Sequence, residues 1–176
     1  MRVEKLSDIK KELRLLNTEV LTEICLRLAK YKKDNKELLS YLLYDADNPL
    51  NYAEEVKSTL LLNFKNLNKS AYTSTKELRK IIRLLTKHTK YTGSKEVEIE
   101  FLLWFCTNFL QYADTRSSHK PLQAILNRQL EKIKRILPKL HEDLQYDYSA
   151  TFTNLIEEAN NKLRYFNKDD FKIENL

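Results

Sequence analysis

Glycine is almost missing from this sequence, since its 176 residues contain only Gly93. Sheets with tight hairpins need many residues with positive φ, and glycine or asparagine usually supplies them. A chain with one glycine therefore favours α-helices joined by short polar turns. The same scarcity excludes dinucleotide-binding and P-loop motifs, which need two or three closely spaced glycines. It also excludes the G-x-S-x-G nucleophile elbow.

Cysteine is scarce as well. Cys25 and Cys106 stand far apart, with no C-x-x-C motif. Both lie among leucines or phenylalanines, so we predict two reduced core thiols and a cytoplasmic location. The first residues show no apolar run of signal-peptide length. The most apolar stretch carries three glutamates, so we expect no membrane-spanning segment.

Residues that could carry catalysis are isolated from one another. His88, His119 and His141 are far apart, whereas zinc ligands usually come in pairs close in sequence. A cysteine nucleophile would need a histidine that only the fold could bring close. The sequence therefore predicts no metal, no cofactor and no enzymatic activity.

What the chain does contain is a soluble, globular composition, with 42% hydrophobic and 32% charged residues. Its length suits one domain over residues 1–176, with a frayed tail at 167–176. The most apolar segment is 95–112, and a helical wheel places its apolar residues over half or more of the circumference. We therefore predict a central helix with neighbours on several sides, capped at its start by Ser94, and we expect Gly93 to close the helix before it.

The fold class predicted is all-α, with seven to nine helices in antiparallel hairpins. Capping signals and apolar spacing place helix starts at several points along the chain, near Asp8, Thr18, Lys36, Pro49, Ser74, Lys95, Pro121 and Thr151. At an offset of 60 residues, Tyr41-Leu-Leu-Tyr44 matches Phe101-Leu-Leu-Trp104. This match slightly favours a short αα-superhelix of the HEAT or TPR kind over an irregular bundle, although any two amphipathic hairpins share such a pattern.

Two stretches, Leu26–Tyr44 and Lys90–Glu96, resemble segments of an uncharacterised family of small, helical bacterial proteins, a domain of unknown function. They cover under a fifth of the chain. The resemblance implies an all-helical fold and a bacterial cytosolic origin. It carries over no catalytic or binding residue.

Charge placement is the one feature that stands out. Residues 71–93 hold six Lys or Arg against one Glu, and residues 121–140 hold five against one. A helical wheel gathers most of these cations on one face of each helix. The candidate binding residues are Lys76, Arg79, Lys80, Arg83, Lys87, Lys90, Arg128, Lys132 and Arg135.

Three interpretations of these cations are open. They can form a solvated outer face, follow a nucleic-acid backbone, or face an acidic protein surface. The acidic residues of 141–176 could also neutralise them, within the chain or in a dimer.

The sequence favours a non-catalytic protein-binding module or scaffold, with another protein as its partner. Nucleic-acid binding is the alternative, and an enzyme without a readable motif comes third. The choice between monomer and homodimer stays open.

Overall fold

The computed structural model describes residues 3–164 and 166–171. These residues form eight α-helices and two 3₁₀ turns and contain no strand, so the all-α prediction is confirmed. The helices are α1 (Leu6–Leu15), α2 (Thr18–Tyr31), α3 (Lys33–Tyr44), α4 (Pro49–Lys65), α5 (Ala71–Thr92), α6 (Lys95–Tyr112), α7 (Lys120–Ile136) and α8 (Glu142–Lys162). The 3₁₀ turns are Leu137–Lys139 and Lys168–Phe171.

The chain separates into two compact units, Met1–Asp47 with α1 to α3 and Asn48–Leu176 with α4 to α8. The sequence predicts a single domain over 1–176, and that statement stays a prediction. Each unit is described by itself below.

The N-terminal unit is built on the contact between α2 and α3. Asn17 begins α2, because its side-chain oxygen accepts the backbone N–H of Val20 at 2.9 Å. The Asn35 amide donates to the Leu28 carbonyl at 2.9 Å and ties the start of α3 to α2. Among the described residues of this unit, Tyr41 is the only buried one. Three short helices have too little surface between them to enclose a larger core.

Helix α6 is the centre of the C-terminal unit. It contacts α4, α5, α7 and α8, and nine of its residues are buried. The prediction of a central helix with neighbours on several sides is confirmed. The broad apolar arc explains this position, because each side of α6 needs a helix to cover it.

Helices α4, α5 and α6 each contact the next helix and the one after it. A bundle around α6 and a short stack of hairpins share this order of contacts. The residues matched at an offset of 60 differ in burial, since Leu43 is exposed while Leu103 is buried. Only the first pair of that match, Tyr41 and Phe101, is buried in both copies.

Several predicted helix ends are confirmed. Gly93 has φ of 62° and ends α5, with its N–H donating to the Thr89 carbonyl. The Ser94 hydroxyl accepts the N–H of Val97 and begins α6. Pro138 follows directly on the end of α7 and lies in a 3₁₀ turn.

Two predicted helix starts are wrong. Helix α5 begins at Ala71 rather than Ser74, whose hydroxyl donates to the Ala71 carbonyl inside the first turn. Ser74 and Glu77 match the Ser-x-x-Glu pattern of a capping box. Glu77 instead accepts the N–H of Asn68. Helix α8 begins at Glu142 rather than Thr151. Leu144, Tyr148 and Phe152 recur at helical spacing on its inner side. The many polar residues between them make this spacing hard to recognise in the sequence.

The frayed tail at 167–176 stays a prediction, and the structure describes its residues 168–171. These residues form a 3₁₀ turn in which Phe171 is buried and stacks on Phe166, with ring centroids 5.1 Å apart. Burial of this aromatic ring holds the turn in place. Residues 172–176 lie outside the described part of the chain.

Candidate protein-binding surface and basic helix face

Exposed apolar side chains are concentrated in the N-terminal unit. Of the sixteen large exposed apolar residues in the described chain, twelve belong to this unit. They are Val3, Leu6, Ile9, Leu13, Leu15, Val20, Leu26, Leu28, Tyr31, Leu42, Leu43 and Tyr44. Scattered exposed leucines are ordinary, but such a concentration in one small unit is typical of an interaction surface.

One part of this surface is a groove between α2 and α3, with a volume of about 320 Å³. Leu28 is 56% exposed and Leu42 is 55% exposed on its two walls. Cys25, Ala29, Leu38 and Leu39 complete the apolar lining, and Asn35 is its one polar member. We call this feature the α2–α3 groove.

Helix α1 is amphipathic and none of its side chains is buried. Leu6, Ile9 and Leu13 recur at helical spacing and form one apolar stripe, and all three are exposed. An amphipathic helix gains most of its stability by burying such a stripe. Helix α1 therefore presents a second apolar surface in the same unit as the α2–α3 groove.

Sequence analysis did not predict this surface, because the leucines of α1, α2 and α3 have the same helical spacing whether their apolar side is buried or exposed. One local signal was present. Leu42, Leu43 and Tyr44 are consecutive, so they cannot all lie on one face of a helix. The structure leaves all three exposed.

The basic residues predicted on α5 do lie on its outer face. Lys76, Arg79, Lys80, Arg83 and Lys90 are exposed, and Lys87 is partly buried. The ammonium of Lys76 lies 4.3 Å from the ring centroid of the exposed Tyr72, a cation–π contact. Five exposed cations thus line a helix that also carries an exposed aromatic ring at its start.

The three candidate binding residues on α7 differ in exposure. Arg128 and Arg135 are exposed, whereas Lys132 is partly buried. Lys132 lines a small cavity of about 60 Å³ together with Ile82 of α5 and Gln129. Since α5 and α7 are in contact, the structure brings the two basic helices side by side, with Lys132 turned towards α5.

Lys87 aside, the candidate cations form no ion pair with the described acidic residues of 141–176. The ion pairs of α8 are local, such as Lys162 with Glu158 at 2.6 Å. Lys134 Nζ reaches the 3₁₀ turn at 168–171, where it donates to the backbone carbonyl of Asp170. Lys87 aside, none of the nine candidate cations forms an ion pair with a described residue.

A buried charge network connects α4, α6 and α8. The Lys57 ammonium, with only 8% of its side chain exposed, donates to Glu100 at 2.5 Å and to Glu54 at 2.7 Å. The other oxygen of Glu100 accepts the Tyr148 hydroxyl at 2.8 Å. Burial, the hydrogen bond to Glu100 and the nearby carboxylates together raise the pKa of Tyr148. The charges of this network are paired, which is typical of a structural group.

The histidines and cysteines remain apart. His88 Nδ1 is hydrogen-bonded to the Tyr52 hydroxyl at 2.6 Å, and His141 Nδ1 lies 3.4 Å from the Asp143 carboxylate. Burial raises the pKa of the Cys106 thiol, which keeps it protonated. Cys106 is therefore the predicted core thiol, but Cys25 is exposed, so that prediction is wrong for Cys25. The described residues contain no group of three His, Cys, Asp or Glu side chains able to hold a metal ion.

Most of the described C-terminal aromatic residues belong to the core or pack against it. Phe152 and Phe171 are buried, and Tyr148 and Phe166 are partly buried. Tyr146 is 80% exposed, while Tyr165 lies outside the described residues.

Two findings concern the chain as a whole. Among its described helices, none combines the length and apolar character needed to cross a membrane. No family model, no curated protein and no solved structure matches the chain.

Proposed function

We propose that the protein is a non-catalytic protein-binding module or scaffold whose binding surface is the N-terminal unit. The observation that carries this proposal is that the described residues of this unit include twelve large exposed apolar side chains and one buried residue. Two free cysteines support a reducing, cytoplasmic location as part of the same proposal. The bacterial origin that the sequence resemblance implies belongs to it as well.

The physical reason is the hydration of apolar surface. Covering a leucine side chain fully contributes about 1.5–3 kcal/mol. Leu28 and Leu42 expose more than half of their surface in the α2–α3 groove. A partner that covers both recovers much of this contribution, which the unit cannot obtain from its own core.

The lining of the α2–α3 groove indicates what kind of partner it binds. Two adjacent helices form a groove whose lining is apolar apart from Asn35. Such a groove accepts the apolar stripe of an amphipathic helix, with side chains spaced three and four residues apart. We therefore propose an amphipathic helix as its occupant.

The test compares proteins captured from a lysate of the source cells by three chains. We expect specific partners with the unmodified chain and none with Leu28→Glu/Leu42→Glu, because a buried carboxylate loses its hydration. Leu62→Glu is the matched control, since Leu62 is 61% exposed on α4 and lies outside the groove. Identical capture by all three chains would contradict the proposal. It would also be contradicted if the unmodified chain bound neither another protein nor a second copy of itself.

Nucleic-acid binding is a second candidate function, supported by the outer face of α5. Lys76, Arg79, Lys80, Arg83 and Lys90 are exposed and form no ion pair with a described residue. Cations spaced one turn apart along a helix can contact successive phosphates and release counterions. This mode of binding needs no base-specific contact.

For this candidate we expect Arg79→Glu/Lys80→Glu/Arg83→Glu to weaken DNA binding at least ~10-fold and to reduce the salt slope by about three. Fluorescence anisotropy with duplex and single-stranded DNA across a salt series measures both. Lys65→Glu/Lys69→Glu/Lys120→Glu changes the net charge equally with residues off the α5 face. Equal losses in the two triple variants would refute a specific role for α5.

A further inference from the structure

The N-terminal unit contains both halves of one interface. It has an open α2–α3 groove, and it has an amphipathic helix, α1, with no buried side chain. The apolar stripe of α1 is the kind of ligand that the groove accepts. Each half is exposed to solvent in the single chain.

We infer that the partner at this surface is a second copy of the chain, with α1 of each protomer lying in the α2–α3 groove of the other. This inference rests on the proposed function, because it names the occupant of the same groove. The exchange is reciprocal, so one two-fold axis produces the same contact twice.

The lengths of the two elements match. Helix α1 has 10 residues and α3 has 12. At a rise of 1.5 Å per residue these correspond to about 15 and 18 Å. Leu6, Ile9 and Leu13 of one protomer can therefore lie along most of the groove of its partner.

The area available to this contact is that of a small interface. Leu6, Ile9, Leu13, Leu28 and Leu42 form it, and Leu6, Leu28 and Leu42 each expose more than half of their surface. Five such side chains cover less than the ~800 Å² per partner of a standard interface, so we expect a reversible dimer rather than a permanent one.

Sedimentation equilibrium of the full chain tests the inference. We expect a mass of twice 21.0 kDa at micromolar concentration. Leu13→Glu on α1 and Leu28→Glu in the groove should each weaken association at least ~30-fold, the effect of losing a central interface residue. Leu62→Glu is the control and should remain dimeric. Circular dichroism verifies that each variant keeps its helix content.

Mixing the two variants distinguishes an exchange of α1 from any other dimer. A chain with Leu13→Glu keeps an intact groove, and a chain with Leu28→Glu keeps an intact α1. Their heterodimer restores one of the two contacts, so the mixture should associate more tightly than either variant alone. A mixture that associates no better than its components would overturn the exchange.

Cys25 reports occupancy of the groove, which it lines. Cys106 is buried, so Cys25 should be the only fast-reacting thiol. Its labelling by a thiol reagent should slow as protein concentration rises through the dimerisation range. A monomer at all concentrations, or protection of Cys25 that does not depend on concentration, would overturn the inference.

The two proposals fail separately. If the chain is monomeric but still captures other proteins through Leu28 and Leu42, the second copy is excluded and the binding module remains. If neither self-association nor groove-dependent capture occurs, both proposals are wrong.

Discussion

Replacing Phe64 by alanine is expected to lower the free energy of unfolding of the C-terminal unit by about 3–5 kcal/mol. Phe64 is 0% exposed. Its ring lies 5.3 Å from the Trp104 ring and 5.4 Å from the Phe105 ring, measured between centroids. Phe64 packs an aromatic ring of α4 against α6. Truncation to alanine therefore leaves a cavity that the neighbouring rings of α6 cannot fill.

Urea denaturation measures this loss. Trp104 is the only tryptophan of the chain, and its fluorescence reports on the unit that contains Phe64. Circular dichroism provides a second signal, because the substitution also changes the surroundings of Trp104. Leu62→Ala is the control on the same helix, and its exposed side chain should change stability by less than ~0.5 kcal/mol. Similar losses in the two variants would show that Phe64 is not part of a close-packed core.

The second large effect is expected at Lys57. Lys57→Met should destabilise the C-terminal unit by about 2–3 kcal/mol, because it leaves Glu100 without its buried cation. The loss is below that of a fully buried pair, since 29% of the Glu100 side chain is exposed. Urea denaturation at neutral pH is the measurement.

A double-mutant cycle separates the ion pair from simple packing. Lys57→Met/Glu100→Gln removes both charges, and the glutamine oxygen still accepts the Tyr148 hydroxyl. We expect the double variant to regain at least ~1 kcal/mol relative to the sum of the two single variants. Strict additivity would mean that Lys57 and Glu100 contribute independently.

Tyr148 makes the stability of the C-terminal unit depend on pH in the alkaline range. Its pKa is raised in the folded chain, so the folded state keeps a proton that the unfolded state releases above about pH 10. The stability contributed by Tyr148 is therefore complete below that pH and declines as the pH rises further. In Tyr148→Phe this part of the decline should be absent, which denaturation across pH 8–11 would show.

Local features predicted local structure well. Gly93, Ser94 and Asn48-Pro49 mark helix ends because each satisfies backbone groups within four residues. The helix start predicted at Ser74 is wrong because it depends on a local pattern alone. A capping box is a local pattern, and Ser74 is buried where Ala71 already begins the helix.

The candidate site was predictable only in part. The exposure of Arg79 and Arg83 follows from the apolar residues opposite them on α5. The inward position of Lys132 does not, because it depends on the packing of α7 against α5. The exposed apolar surface of the N-terminal unit could not be predicted from helical spacing. Leu28 has the same spacing whether or not another helix covers it.

By itself, the sequence determined the all-α class, the central helix at 95–112 and the basic outer face of α5. These follow from glycine content and helical periodicity, which act within one segment. Only the tertiary structure decided which helices surround α6, that Lys57 reaches Glu100 across 43 positions of sequence, and that the periodic leucines of α1 to α3 remain exposed. The reason is physical: periodicity shows which side of a helix is apolar, but contacts with other helices determine whether that side is buried.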